Sequence, residues 1–203
     1  MRVYGLTGGI GMGKSTAGAL LGDQRFSVID TDSLAREIVE PGQPALEEIR
    51  KIFGSEIIDS KGKLRRGVLA QKVFSETSAL KVLENILHPR IRALWQAKVQ
   101  HWREEGRDLG VVIIPLLFET SAESEFDSVI CVACSFDSQR DRLAQRGWDA
   151  RQIEQRLAAQ WPIETKMDKA DSVIWSDTTL KAFGEQLKRS CGIYSAAKTI
   201  FIR

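Results

Sequence analysis

Short apolar runs alternate along the chain with stretches in which apolar residues recur every three or four positions. The runs Val3–Thr7, Ser27–Asp30, Leu109–Leu117, Ser128–Ala133 and Ser172–Ile174 read as buried strands. Continuous rather than alternating apolar character is what a parallel sheet covered on both faces requires. The pattern therefore predicts an α/β fold with a mostly parallel five-stranded sheet.

Between the second and third runs, from about Leu34 to Gly106, no convincing strand occurs. Ile91, Leu94, Trp95, Val99 and Trp102 fall at helical spacing and end at Glu104-Glu105-Gly106. Ala79–Leu87 predicts a further helix that stops before Pro89. Phe53–Gly62 is turn-rich. A second excursion, Asp137 to Lys169, predicts two exposed helices around Gly147-Trp148, with Arg140, Arg142, Arg146, Arg151 and Arg156 projecting. No internal repeat or flexible linker interrupts the chain, so both excursions read as insertions in one core.

Composition narrows the classes. The chain has 203 residues, 43% hydrophobic and 28% charged, with a net charge of +2, as in an ordinary globular protein rather than a disordered one. Near-neutral charge gives no electrostatic case for a nucleic-acid partner. Three cysteines make no disulfide framework. Cys131 and Cys134 form a C-x-x-C directly after Val129-Ile130, where both read as small apolar strand residues. The longest apolar run, Leu109 to Phe118, is about half of a membrane span. The first residues are too short an apolar run for a signal segment, and a cytoplasmic, membrane-free protein is expected.

The chemistry is carried by Gly8-Gly9-Ile10-Gly11-Met12-Gly13-Lys14-Ser15, which satisfies G-x-x-x-x-G-K-[ST]. A random window does so about 4 times in 100,000. The loop follows a strand candidate and opens a helix candidate, Ser15 to Leu21. Glycines let main-chain N–H groups wrap a phosphate, and the helix adds the positive end of its dipole. Lys14 offers a mobile charge to the β- and γ-phosphates, and Ser15 a hydroxyl to Mg²⁺. A nucleoside triphosphate with Mg²⁺ is the expected ligand.

Three reaction classes use such a loop. A nucleotide-gated switch is suggested by loose guanine-type matches, Asp59-Ser60-Lys61-Gly62 and Thr165-Lys166-Met167-Asp168, neither after a strong strand. For a mechanical ATPase, the run ending in Phe118-Glu119 is a partial match. A small-molecule kinase needs a carboxylate to take a hydroxyl proton, and Asp30-Thr31-Asp32 places two at the end of the second strand. Ligands bind at such carboxyl ends in doubly wound sheets. If the strand continued, residues 30 and 32 would share a face; alternatively, Asp32 or Ser33 caps a helix over Leu34–Val39. Arg142 and Arg146, four apart, would lie on one helical face and neutralise transferring charge from a lid.

The sequence resembles the dephospho-CoA kinase family over about residues 3 to 174. The resemblance rests on Leu6–Thr16, on Val28–Asp32 with Ala35-Arg36, and on Val39-Glu40-Pro41-Gly42. It continues through Gly62–Arg66 with Leu69 and Val73-Phe74, Leu87-His88-Pro89, Pro115-Leu116-Leu117-Phe118-Glu119 and Ala170–Ile174. It implies a kinase-type three-layer fold with a core of about 1–33, 107–136 and 170–203, a helical acceptor-binding insertion of about 34–106 and a lid of about 137–169. It implies that ATP phosphorylates the 3′-hydroxyl of the ribose of dephospho-CoA, giving coenzyme A and ADP. Asp32 then corresponds to the general base, with Lys14, Arg142 and Arg146 as further catalytic groups. Gly8, Gly9, Gly11, Met12, Gly13, Lys14, Ser15 and Thr16 hold the nucleotide, Ser15 the metal, and Asp32, Arg66, His88, Pro115, Leu116 and Glu119 the acceptor. Another kinase of the same superfamily, or a switch, is the alternative, and a monomer is expected. Departures from the family pattern are Met12 for a common Ser, Thr31 for a frequent Ala, and Trp175-Ser176-Asp177-Thr178 where Asn and Gly are usual. The segment Trp175–Thr178 would border the adenine. The tail from Gly192 to Arg203, with Ile200-Phe201-Ile202, carries none of the motifs on which the resemblance rests.

Overall fold

A computed structural model describes residues 1–23, 26–75 and 77–192, without the side chains of residues 74, 75 and 77. The tail beyond Gly192 and the Phe74 side chain lie outside the described residues. Two compact units are present: Met1–Val28 with the chain from Asp108 onward, and Ile29–Arg107.

The first unit is built on strands β1 (Arg2–Gly8), β3 (Leu109–Ile113), β4 (Ser128–Ala133) and β5 (Ser172–Trp175), with β2 (Ser27–Asp30) beginning in it. The sheet order is β2-β3-β1-β4-β5. β1 pairs parallel with β3, Tyr4 opposite Val111, and with β4, Leu6 opposite Ile130; β4 pairs parallel with β5. At the start of the strands two carboxylates replace missing partners: Asp127 accepts from Val3 N and Asp171 from Val129 N, each at 2.7 Å. One core joins Tyr4, Leu6, Val111, Ile113, Ile130, Val132 and Ile174 to Ala17 and Leu21 of α1 (Lys14–Gly22) and to Phe183 and Leu187 of α9 (Leu180–Ser190).

β3 is shorter than the apolar run predicts. Ile114 N still reaches Leu6 O at 2.9 Å, but Pro115 has no N–H to continue the ladder, and residues 115–120 turn. The second excursion also differs: it forms three helices, α6 (Phe136–Ala144), α7 (Ala150–Ala158) and α8 (Ile163–Lys169). α8 packs on β1 and β4, so it is no exposed helix, and its Lys166 is fully buried.

The second unit holds α2 (Thr31–Glu37), α3 (Pro44–Phe53), α4 (Arg66–Ser75) and α5 (Thr77–Glu104). Ala45, Leu46, Ile49 and Phe53 form the buried stripe of α3 and meet Ile38, Ile57, Leu69, Val73 and Ile86. The strand β2 ends at Asp30, whose carboxylate caps α2 by accepting from Asp32 N at 2.9 Å. The cap is therefore Asp30, and Asp32 sits in the first helical turn rather than on a continued strand.

A helix stop at Pro89 is overturned: α5 runs 28 residues through it. Proline removes the bond to the carbonyl four residues back. Here the Arg90 guanidinium donates to the neighbouring Ile86 carbonyl at 2.7 Å and pairs with Glu48 at 2.6 Å. Burial of Ile86, Trp95 and Val99 on either side of the proline outweighs the local cost. Replacing Pro89 with Ala is expected to raise unfolding free energy by about 2 kcal/mol, the cost of a helix-interior proline less the unfolded-chain entropy it removes, read as a higher urea midpoint at unchanged slope.

Candidate active site

The site of the first unit starts where β1 stops. At Gly8, φ is +144°, and a Cβ there would lie 2.2 Å from the Val132 carbonyl of β4, so only glycine lets the chain leave the sheet here. Gly9 to Met12 then close a turn, Met12 N donating to Gly9 O at 3.2 Å. Gly13, with φ +100°, caps α1 without a side-chain bond. The positive helix end and its first-turn N–H groups thus form an anion cradle of main chain alone. Lys14 Nζ donates to the Gly8 and Gly9 carbonyls at 2.9 Å each, holding its charge at the loop. Ser15 and Thr16 are exposed at the start of the helix.

Arg142 comes to the same loop from α6 and does not project into solvent as the charge pattern predicts. Its guanidinium donates to Gly11 O at 3.4 Å, to Ser176 Oγ at 2.8 Å and to Ser176 O at 3.1 Å, and pairs with Asp177 at 3.4 Å. Ser176 Oγ in turn donates to Met12 O at 2.8 Å. Arg146 lies past the end of α6, so the two arginines do not share one helical face. Both nevertheless line a cavity of about 420 Å³ with Gly11, Gly13, Thr16 and Ser176. Gln145, Thr178, Leu180 and Phe183 complete its wall. Arg156 stacks on Trp148, 4.2 Å from the ring centre.

Pro115 and Glu119 meet a residue that sequence reasoning missed. Lys166 Nζ donates to Pro115 O and pairs with Glu119 Oε1, each at 2.7 Å. Glu119 Oε1 also accepts from Trp161 N at 2.9 Å, and Thr7 Oγ1 donates to Pro115 O at 3.3 Å. In sequence Lys166 is one charge in a charged run; nothing local marks it as buried. Leu116 offers its carbonyl to Thr120.

In the second unit Asp32 is exposed on α2, Arg66 is exposed at the start of α4, and His88 is half-buried on α5. The guanine-type matches have local explanations. Asp59 Oδ1 accepts from Lys61 N and Lys63 N in a turn closed by the Ile58–Leu64 bridge, and Thr165–Asp168 lies within α8. Cys131 and Cys134 are buried and free; burial pushes the Cys131 thiol up to about 11.

The residues fit a magnesium-bound triphosphate in one respect. Mg²⁺ keeps its waters and leans on substrate phosphates rather than on a protein cage. A single hydroxyl is such a light hold, and the exposed Ser15 hydroxyl, a hard oxygen in the first turn of α1, stands at the cradle.

Burial works to raise the Asp177 pKa. Hydrogen bonds from the Ser135 N–H (2.5 Å) and from the Ser135 and Ser138 hydroxyls, with the Arg142 charge, hold it below its ordinary 3.8. A depressed carboxylate adds stability above its unfolded value and loses it as pH falls through the folded one. Between pH 6 and 3 the thermal midpoint of Asp177→Asn, lower than the parent's at pH 6, is therefore expected to fall less steeply, the gap between the two curves narrowing below about pH 4.

The family model for dephospho-CoA kinase matches residues 2–182. A dephospho-CoA kinase of Bdellovibrio bacteriovorus is 41% identical over 174 residues, covering 86% of this chain and 87% of that protein. One of Gloeobacter violaceus is 40% identical over 190 residues, covering 93% and 91%. Among solved structures, a Thermus thermophilus protein has a TM-score of 0.80 at 32% identity, covering 96% of this chain and 98% of that one. Dephospho-CoA kinase from Campylobacter jejuni has 0.68 at 29%, covering 95% and 98%. Shikimate kinase from Acinetobacter baumannii, 14% identical at a TM-score of 0.53, shares the fold alone. A main-chain phosphate cradle at the end of a parallel strand, in a chain matched along nearly its whole length, places this protein in the dephospho-CoA kinase family, which catalyses the final step of coenzyme A biosynthesis.

Proposed function

We propose that the chain transfers the γ-phosphoryl group of ATP, with Mg²⁺, to the 3′-hydroxyl of the ribose of dephospho-CoA. The observation that carries this reading is the convergence on one loop of glycine backbone, the Lys14 ammonium and the Arg142 guanidinium. Phosphoryl transfer asks mainly for positioning and for neutralisation of spreading charge, and those groups supply both. The Gly8, Gly9, Gly11, Met12 and Gly13 main chain and Lys14 hold the phosphates, and Thr16 stands at the rim of the cavity. The cavity lined by Ser176 and Thr178 receives the base. Arg142 and Arg146 balance charge on the transferring group. Ser15 holds Mg²⁺, which when bound neutralises the β- and γ-phosphate oxygens.

Asp32 acts as general base. Its carboxylate takes the proton of the ribose hydroxyl as that oxygen attacks phosphorus; the bond to the β-phosphate oxygen breaks, and ADP leaves with the electron pair. Support comes from chain order: β2 ends at Asp30, and Asp32 follows in the exposed first turn of α2. Arg66, His88, Pro115, Leu116 and Glu119 serve the acceptor. Lys166, paired to Glu119, keeps that carboxylate oriented.

In an ADP-coupled assay with dephospho-CoA, Asp32→Asn is expected to lose roughly 10² to 10⁴ in kcat while ATP affinity by calorimetry stays at the parent value. Full-speed turnover by that variant removes Asp32 from the mechanism.

We propose that the enzyme works as a cytoplasmic monomer. Among the described residues, no helix is long and apolar enough to cross a membrane. Light scattering is expected to give a mass near 22.7 kDa, and twice that mass overturns the monomer.

A further inference from the structure

Two glutamines that no step above uses grip the apex of the phosphate loop. Ile10 is the second residue of the Gly9–Met12 turn. Its carbonyl accepts from Gln139 Nε2 at 2.7 Å, and its N–H donates to Gln160 Oε1 at 3.0 Å. Gln139 belongs to α6 and is 4% exposed; Gln160 lies in the connection between α7 and α8 and is half-buried. The two flanks of the arginine-bearing segment thus close on both main-chain groups of one residue. A Cβ on Gly9 would lie 3.2 Å from Gln139 Nε2, so the loop composition leaves room for this approach.

The grip answers a physical need. Ile10 stands between Gly9 and Gly11, the latter at φ +78°, and glycines leave the flanking peptide planes conformationally permissive. Local sterics therefore do not set which way those planes face. A cradle that stabilises charge must hold its dipoles in place before the ligand arrives. Glutamine is suited to the task because one uncharged side chain carries both a donor and an acceptor, and the two residues use opposite ends of it. A buried amide without a partner is costly, so the Gln139 side chain is held to the Ile10 carbonyl as firmly as that carbonyl is held to it. Neighbouring bonds reinforce each flank: Arg142 reaches Gly11 O on the α6 side, and Trp161 N reaches Glu119 on the other.

We infer that Gln139 and Gln160 are positioning residues for the nucleotide: from opposite sides they hold the peptide groups of Ile10, keep the loop in its phosphate-receiving shape and couple it to the segment bearing Arg146, Arg151 and Arg156. This inference rests on the reading that the loop receives the triphosphate. It assigns neither glutamine a contact with reacting atoms.

The test uses the full chain with Mg-ATP and dephospho-CoA. Gln139→Met and Gln160→Met are each expected to raise KM for ATP roughly tenfold and to leave KM for dephospho-CoA unchanged. The exchange protection of the Ile10 amide, followed by NMR, is expected to vanish in Gln160→Met and to persist in Gln139→Met. Glutamate separates the two roles further. Gln160→Glu keeps an acceptor for the Ile10 N–H and retains its protection, whereas Gln139→Glu gives the Ile10 carbonyl no donor and behaves like Gln139→Met. An unchanged KM for ATP in folded variants overturns the inference. So does a parallel loss of kcat, both KM values and thermal midpoint, the signature of packing alone. If Gln139→Met does not fold, the more exposed Gln160 pair decides the matter. Parent-like ATP binding by Lys14→Met would instead sink the reading of the loop itself.

Discussion

Everything at the site depends on how β1 ends. Its last residue, Gly8, is pressed against the Val132 carbonyl so closely that a methyl group cannot fit. The chain is thereby forced out of the sheet at the strand's carboxyl end and into a turn that starts α1. Donors for an anion are main-chain groups at that point, and a main chain without Cβ atoms approaches a phosphate more closely than any side chain allows. The rest of the first unit restrains this flexible turn. Ser176 and Arg142 bind its far side, Gln139 and Gln160 its apex, and Lys14 folds over its start.

A second constraint is electrostatic. Lys166 is fully buried, which is costly for an ammonium group unless it is paired and hydrogen-bonded. Glu119 and the Pro115 carbonyl meet that need, and the same Glu119 oxygen receives Trp161 N. α8 is thus joined by a polar cluster to the segment that follows β3. Burial of this kind explains why a stretch rich in charge packs against the sheet.

Much of the frame was legible along the chain. The limits of β2 and β4 coincide with their apolar runs, because strands covered on both faces select for unbroken apolar sequence. The phosphate loop was legible because its requirements are local: glycine where φ is positive, a lysine, and a hydroxyl at the start of a helix. The end of β3 at Ile113 was not read from the apolar run, because Leu116 and Leu117 continue that run while Pro115, which has no N–H, ends the ladder. The helix through Pro89 was not legible, since the Arg90–Glu48 pair and the buried residues on both sides that sustain it are tertiary facts.

By itself, then, the order of residues determined the α/β class, the parallel sheet, the phosphate loop and the family pattern, all of which follow from periodicity and short-range backbone chemistry. Tertiary structure alone decided that Arg142 turns inward, that Asp30 rather than Asp32 caps α2, that Lys166 is buried, and that two glutamines meet at Ile10. Most of those outcomes join groups far apart in sequence, 129 and 150 residues in the case of Gln139 and Gln160. The Asp30 cap spans two residues, but it depends on where β2 leaves the sheet. A polar side chain carries no sign in sequence of whether its partner will be water or a distant carbonyl; only the packed fold removes the water and leaves the carbonyl.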